Sequence, residues 1–535
     1  MSRRLTLFPV ICLVFLASGS VSGFADEQQG GATTESAKAS LQDLGGVQLR
    51  YPGVRWTLLY GSYEGVEQFA VNELQRMVQR NLPYVLEILP ISRTPDPKRN
   101  LILLGTPRTN PKIAELGHKG LLKLPTRAQG YTIACLKSPW QSNARLIVVA
   151  GTDPSGVLYG VEEFNKKLAV LFTQDLRPGE QRANFDGLRD FSVTDAPVIE
   201  NRGIWTWGYV IYDYRRFLDN MARLKMNRVT VWNDVPPVNC RQFIAYAHSR
   251  GIKVILGYSW GYALAKLDPT NPQHLKLIKG EVLENYEDHY EHLEMDGIYF
   301  QNFTEQGNTM IGNKSIAALA CEWVNDMARA ILEKHPALRL EWGLHASSIR
   351  EHFGDLKSLD PRVVIVWEDA GGMPYSYDPE APASAVDAAR DTKVRDAAIE
   401  YSKKLATFRP GSEFAMCSKG WIQLRWPTES EPHGSFLLGE RTHEFIANRL
   451  RERQPRWDYV NAKWIENYSV AMRFYRELRK TTSAPMIVVG LVDDGMFEEQ
   501  VQLSVALVGE MLWNPNRSER EVLNAALSPY YRIVE

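Results

Sequence analysis

The chain has 535 residues, 62 Lys plus Arg against 63 Asp plus Glu, a formal net charge of −1, and 44 % hydrophobic residues. That length exceeds one ordinary core and leaves room for a small domain beside a barrel of about 250 residues. The balanced charge offers no field for nucleic acid or an acidic membrane surface, and the apolar share excludes an extensively disordered chain.

The N-terminus has the layout of an export signal. Arg3 and Arg4 precede an apolar run from Leu5 to Ala17, followed by small residues through Gly23 and Ala25. The run is shorter than the roughly 20 apolar residues of a spanning helix. Cleavage near Ala25 is therefore expected, giving a secreted or periplasmic product with no membrane attachment. Residues 26–46 lack periodicity and have the composition of a flexible leader. Beyond Cys12, the cysteines are Cys135, Cys240, Cys321 and Cys417, with no CxxC spacing. They are expected as buried free thiols rather than as disulfides or zinc ligands.

Over residues 47–188 short strands and helices alternate. From Val66 to Arg80, the residues Val66, Phe69, Ala70, Leu74, Met77 and Val78 share one helical face. Strands are expected at Leu101–Leu104, Tyr131–Leu136 and Leu146–Ala150. The last runs into Gly151-Thr152-Asp153-Pro154-Ser155-Gly156 and a helix over Val157–Leu168. This turn lacks the P-loop Lys and the dinucleotide glycine spacing, so no cofactor is indicated, and Asp153 or Ser155 is expected to cap the helix. Arg189–Glu200, containing Pro197, has the character of a linker.

From residue 198 to the end the pattern becomes repeated strand–helix units. The strand candidates are Gly203–Trp207, Arg228–Trp232, Lys253–Tyr258, Gly297–Gln301, Arg339–Leu344, Val363–Trp367, Glu413–Cys417 and Met486–Leu491. Helical stretches such as Tyr214–Lys225, Arg241–Arg250 and Ala317–Lys334 separate them. Eight apolar strands alternating with helices predict an α/β fold whose second domain is a closed parallel (β/α)8 TIM barrel.

Barrels of this kind carry their sites at the C-terminal strand ends. Those ends hold Trp207, then Trp232 and Asp234, then Trp260, then Asn302 and Glu305, then His345, then Glu368 and Asp369, then Trp421, and finally Asp493 and Asp494. Flat apolar platforms, hydroxyl-binding polar groups and paired acids on one rim are what a sugar pocket requires. Glycosidic hydrolysis needs one protonated and one ionised carboxyl group. Glu305 follows a strongly apolar strand, which favours the protonated acid. Glu368 or Asp369 is the candidate second carboxylate; adjacent strand residues point to opposite sides, so only one is expected in the pocket. Trp207, Trp232, Asp234, Trp260, Asn302, His345, Trp421 and Asp494 are the candidate substrate-binding residues. No His/Asp/Glu spacing specifies a metal, and the GxSxG elbow of serine hydrolases is absent.

Arg202-Gly203-Ile204, the segment from Phe217 to Asn227, and Val231-Trp232-Asn233-Asp234 together resemble the barrel opening of glycoside hydrolase family 20, the β-N-acetylhexosaminidases. The segment from Ala150 to Gly160 resembles the end of the small domain that precedes the barrel in that family, and is similar in the α-glucuronidases of families 67 and 115. The resemblance implies a hexosaminidase-like N-terminal domain, a carbohydrate substrate and an acid at Glu305. Family 20 places an Asp before that acid to orient a nucleophilic acetamido group; here the position is Thr304. The α-glucuronidases, which invert, use an acid after strand four and carboxylates on later strands, a layout that Glu305 with Glu368 or Asp369 matches. Two functions follow: an exo-acting glycoside hydrolase, or a catalytically silent barrel that binds glycans.

Overall fold

The computed structural model describes residues 53–173, 188–233, 235–262, 264, 266–304, 308–368, 392–418, 421, 435–492, 498 and 501–528. The expected signal and leader lie outside these residues.

Asn100–Gly105 (β3) and Arg145–Gly151 (β5) are almost continuous apolar runs, the signature of strands covered on both faces. They form the centre of a six-stranded sheet in the order β2-β1-β3-β5-β4-β6, with β1 at Trp56–Tyr60, β2 at Glu87–Pro90, β4 at Tyr131–Lys137 and β6 at Phe191–Asp195. Helices α1 (Gly65–Gln79) and α3 (Pro154–Thr173) cover one face through Phe69, Leu74, Val157 and Leu158. Helix α2 (Pro111–His118) covers the other through Ile113 and Leu116. Asp153 caps α3 as expected: its Oδ1 accepts from Gly156 N at 2.8 Å, and its Oδ2 from Gln129 N at 2.6 Å.

The stretch expected as a linker differs. Its Phe191–Asp195 pairs antiparallel with β4, from Cys135↔Phe191 to Tyr131↔Asp195. This edge strand is only half buried along its length, so it lacks the apolar run that marks the inner strands. Strands β1 and β2 and helix α2 were also not expected.

The second sheet is a closed barrel of eight parallel strands: β7 (Asn201–Trp207), β8 (Arg228–Trp232), β9 (Lys253–Ser259), β10 (Gly297–Gln301), β13 (Arg339–Leu344), β14 (Val363–Trp367), β15 (Phe414–Ser418) and β16 (Met486–Leu491). A small hairpin, β11 (Met310–Ile311) with β12 (Lys314–Ser315), follows β10. All eight barrel strands lie where the apolar runs predicted them. Alternate residues along each strand divide between two cores. Ile204, Val229, Val231, Leu256, Ile298, Phe300 and Trp342 face the helical shell, while Trp205, Trp207, Trp232, Ile255, Tyr299, Val366, Ala415, Ile487 and Val489 fill the barrel.

Helices α4 (Tyr214–Arg223), α5 (Cys240–His248), α6 (Pro272–His289) and α7 (Ile316–Lys334) belong to the shell, as does the long helix His443–Thr481. Helix α7 buries Ile316, Leu319, Ala320, Trp323, Val324, Met327 and Ile331, a stripe at three- and four-residue spacing, and Ser315 caps it at Ala318 N. At the N-terminal end of the strands, Arg228 and Arg339 both pair with buried Glu341, and Arg339 reaches Glu413 at 2.6 Å. Cys135, Cys240, Cys321 and Cys417 are buried and form no disulfide.

Candidate active site

The alternation within each strand selects which side chains reach the barrel interior. Trp205 and Trp207 enter from β7, Trp232 from β8, and Tyr299 from β10. Trp205 is the hub. Its ring lies 4.9 Å from that of Trp207, 6.3 Å from Trp232 and 5.7 Å from Tyr299. Trp232 also meets Tyr299 at 6.0 Å and Tyr262, in the loop after β9, at 6.3 Å. Three strands and the loop after β9 thus build one aromatic floor.

Glu368 directly follows β14 and is buried against this floor. The Tyr299 hydroxyl and the Gln301 side-chain amide both donate to its Oε1. His345, directly after β13, brings Nε2 to 3.5 Å from Oε2. Tyr299 and Gln301 are two residues apart on β10, so the pleat aims both at the same side. Burial, and then the Glu368 charge, push the Tyr299 hydroxyl far above the ordinary phenol range, so it stays a donor. Gly343 of β13 makes the arrangement possible. A Cβ there would collide with both the Tyr299 hydroxyl and Glu368 Oε1.

Of the candidate residues, Trp207, Trp232, His345 and Glu368 are joined by this chain of contacts. Trp260 and Trp421 are not. Trp260 is fully buried in the shell, stacked on Phe300 at 3.6 Å, because it continues the outward parity of Tyr258. Trp421 is likewise fully buried in the shell, and its ring sits against Gly490, where any Cβ would overlap it. Both are packing residues. Asn302 is buried, and its Oδ1 accepts from Thr304 N at 3.3 Å, so it shapes the turn after β10. Asp234, Glu305, Asp369 and Asp494 lie outside the described residues.

Trp205, Tyr299 and Gln301 were not selected as site residues from the sequence. The signal for them was available in the two-residue period: Trp205 precedes Trp207 by two, and Tyr299 precedes Gln301 by two. Among the described residues no group of three or more His, Cys, Asp or Glu side chains is placed to hold a metal ion, and no helix is long and apolar enough to cross a membrane. Chemically, the site offers a buried carboxylate that receives hydrogen bonds, an imidazole beside it and a wall of indole faces. A carboxylate so held is fitted to take a proton from water or to attack an electrophilic carbon.

The architecture is that of a TIM-barrel protein with a small mixed sheet ahead of the barrel. It is similar to a GH115 4-O-methyl-α-glucuronidase, BtGH115A, at 14 % identity and a TM-score of 0.49, over 89 % of this chain and 59 % of that one. It is also similar to a β-N-acetylhexosaminidase from Bacteroides fragilis, at 15 % identity and 0.44, over 91 % and 92 % of the two chains. A Streptomyces plicatus β-hexosaminidase in complex with GlcNAc gives 11 % identity and 0.45, over 90 % and 91 %. No protein-family model and no curated protein matches the chain.

Proposed function

We propose that the chain is an exo-acting glycoside hydrolase that cleaves O-glycosidic bonds with a pair of carboxylates, Glu305 and Glu368. The observation that carries this reading is the Glu368 carboxylate, held by Tyr299 and Gln301 against the indole-lined interior of the barrel. Indole faces suit the C–H faces of a sugar ring. Of the two neighbouring acids, Glu368 is preferred to Asp369 as the second carboxylate because it makes these contacts.

In this mechanism Glu305 is the general acid. It follows buried Phe303 and Thr304 in sequence, a setting that favours the protonated form. It gives its proton to the leaving oxygen as the glycosidic C–O bond breaks. Glu368, ionised, takes a proton from the water that attacks the anomeric carbon. Thr304 provides no carboxylate to orient an acetamido group, which favours an α-glucuronidase-like route over a hexosaminidase-like, substrate-assisted one. Tyr299 and Gln301 of β10 reach Glu368 across β13, so the strand order alone does not set the carboxyl spacing. The α-glucuronidase-like layout of the two acids favours inversion, for which the carboxyl groups should stand about 6.5–9.5 Å apart. The apolar run behind Arg3 and Arg4 supports export to the periplasm or medium, where polysaccharides are met.

The test is a panel of aryl glycosides and natural oligo- and polysaccharides, run with wild type, Glu305→Gln and Glu368→Gln. Loss of about 10²–10⁴-fold in kcat is expected for each variant. Proton NMR of the first-formed product should show the anomer opposite to the substrate. Glycan binding by wild type with no turnover would replace this reading with that of a silent glycan-binding barrel. Retained configuration would refute the inverting route.

A further inference from the structure

We propose that Tyr299 is a positioning residue for Glu368: with Gln301, it holds the carboxylate ionised and fixed in orientation, and so makes Glu368 the base rather than the acid of the pair. The inference rests on the reading that Glu368 is catalytic, but its physical content is separable from turnover.

Both donors converge on the same oxygen, Oε1. Hydrogen bonds donated to a carboxylate favour its charged form, and an anchored oxygen fixes the plane of the group. Tyr299 has no exposed surface and is walled in by Trp205 and Trp232, so it acts on substrate only through Glu368. Its hydroxyl remains protonated throughout the working range of a glycosidase, because burial and the neighbouring Glu368 charge both oppose phenolate. The site is also shaped for this contact, since Gly343 leaves the notch in which phenol and carboxylate meet.

Other titratable groups acting here include His345, beside Oε2 after β13, and Cys417 of β15, which acts on Tyr299. A protonated His345 would reinforce the ionised carboxylate at low pH. Tyr299 does so throughout that working range, which separates the two influences.

Removing a donor to a base disfavours its ionised form, so the acid limb of the rate profile must move to higher pH. Tyr299→Phe deletes one oxygen and keeps the ring packed; Gln301→Met deletes the second donor without touching the phenol. Each should move the acid limb of kcat/KM upward and lower the rate below that limb by about tenfold, the scale of one hydrogen bond to a charged group. The same shift is read without any substrate from ¹³C-carboxyl glutamate NMR of the full chain, with the Glu368 signal assigned by its loss in Glu368→Gln. An upward move of that signal's titration in either variant supports the proposal, even if no glycoside is turned over. A Glu368 signal that titrates at an unchanged pH in both folded variants overturns it, whatever the activity.

Discussion

Lys225 Nζ lies 2.7 Å from Glu163 Oε2, and this pair joins the turn between α4 and β8 to α3, the helix that backs the small sheet. The lysine side chain has no exposed surface; its ammonium sits 4.6 Å from the Trp513 ring centre, and its backbone has a φ of 60°. Burial pushes the Glu163 carboxyl up, but Lys225 and then Lys166 outweigh that and hold it well below the usual carboxylate range. Beside it, Lys166 pairs with Glu510, which Arg517 also meets at 3.0 Å.

Breaking one member of a buried ion pair leaves the other uncompensated, at a cost of about 3–5 kcal/mol. Lys225→Met is therefore expected to destabilise the chain by that amount in urea unfolding. The double variant Lys225→Met, Glu163→Leu should recover most of the loss. A single variant within about 0.5 kcal/mol of wild type would show that the network contributes nothing.

Gly343→Ala is expected to impair the site more than the fold. The added methyl must displace the Tyr299–Glu368 contact, an overpacking cost of about 1–3 kcal/mol. Activity should fall along with that of Tyr299→Phe. Gly280→Ala is the control. Gly280 lies on the exposed side of α6 with open space where a Cβ would go, so the change should stabilise by about 0.5–1 kcal/mol and leave activity unaltered. Equal activity in the two variants would contradict the close approach at Gly343.

Glu498 sets a pH dependence of stability. Burial raises its carboxyl to about 8, although its Oε1 accepts from Tyr212 N at 2.7 Å. The folded state holds this proton, and the unfolded state releases it near the ordinary carboxylate value. Between those two values the unfolded state binds fewer protons, so stability falls as pH rises, by about 1.4 kcal/mol per pH unit, and the loss is complete above about pH 8. Glu498→Gln keeps the acceptor oxygen and removes the titration. Its stability relative to wild type should grow from pH 5 to pH 8. Parallel pH profiles of the two proteins would refute the assignment.

Most of the barrel was legible in the sequence, and the reason is local. A strand covered on both faces must be apolar throughout, so Val363–Trp367 and Met486–Leu491 announce themselves as runs between polar helices. Edge strand Phe191–Asp195, with polar residues alternating on its open face, carries no such mark. Trp260 and Trp421 show the second limit. A tryptophan near a strand end is equally compatible with the barrel interior and with the shell, and only the phase of the pleat separates them. For Trp260 that phase follows from Tyr258. Trp421 lies beyond its strand, where no period extends.

By itself the sequence determined the succession of the eight barrel strands and their α/β class, and it put Trp207, Trp232, His345 and Glu368 at or near strand ends, because spacing along the chain encodes which face each element must bury. Only the tertiary structure decided that Tyr299 meets Glu368 across 69 residues of chain, that Gly343 clears the space between them, and that Lys225 answers Glu163. Those contacts depend on strand register around a closed barrel and on how the shell docks against the small sheet. Register and docking arise from the packing of all the elements together, so no stretch of sequence holds them alone.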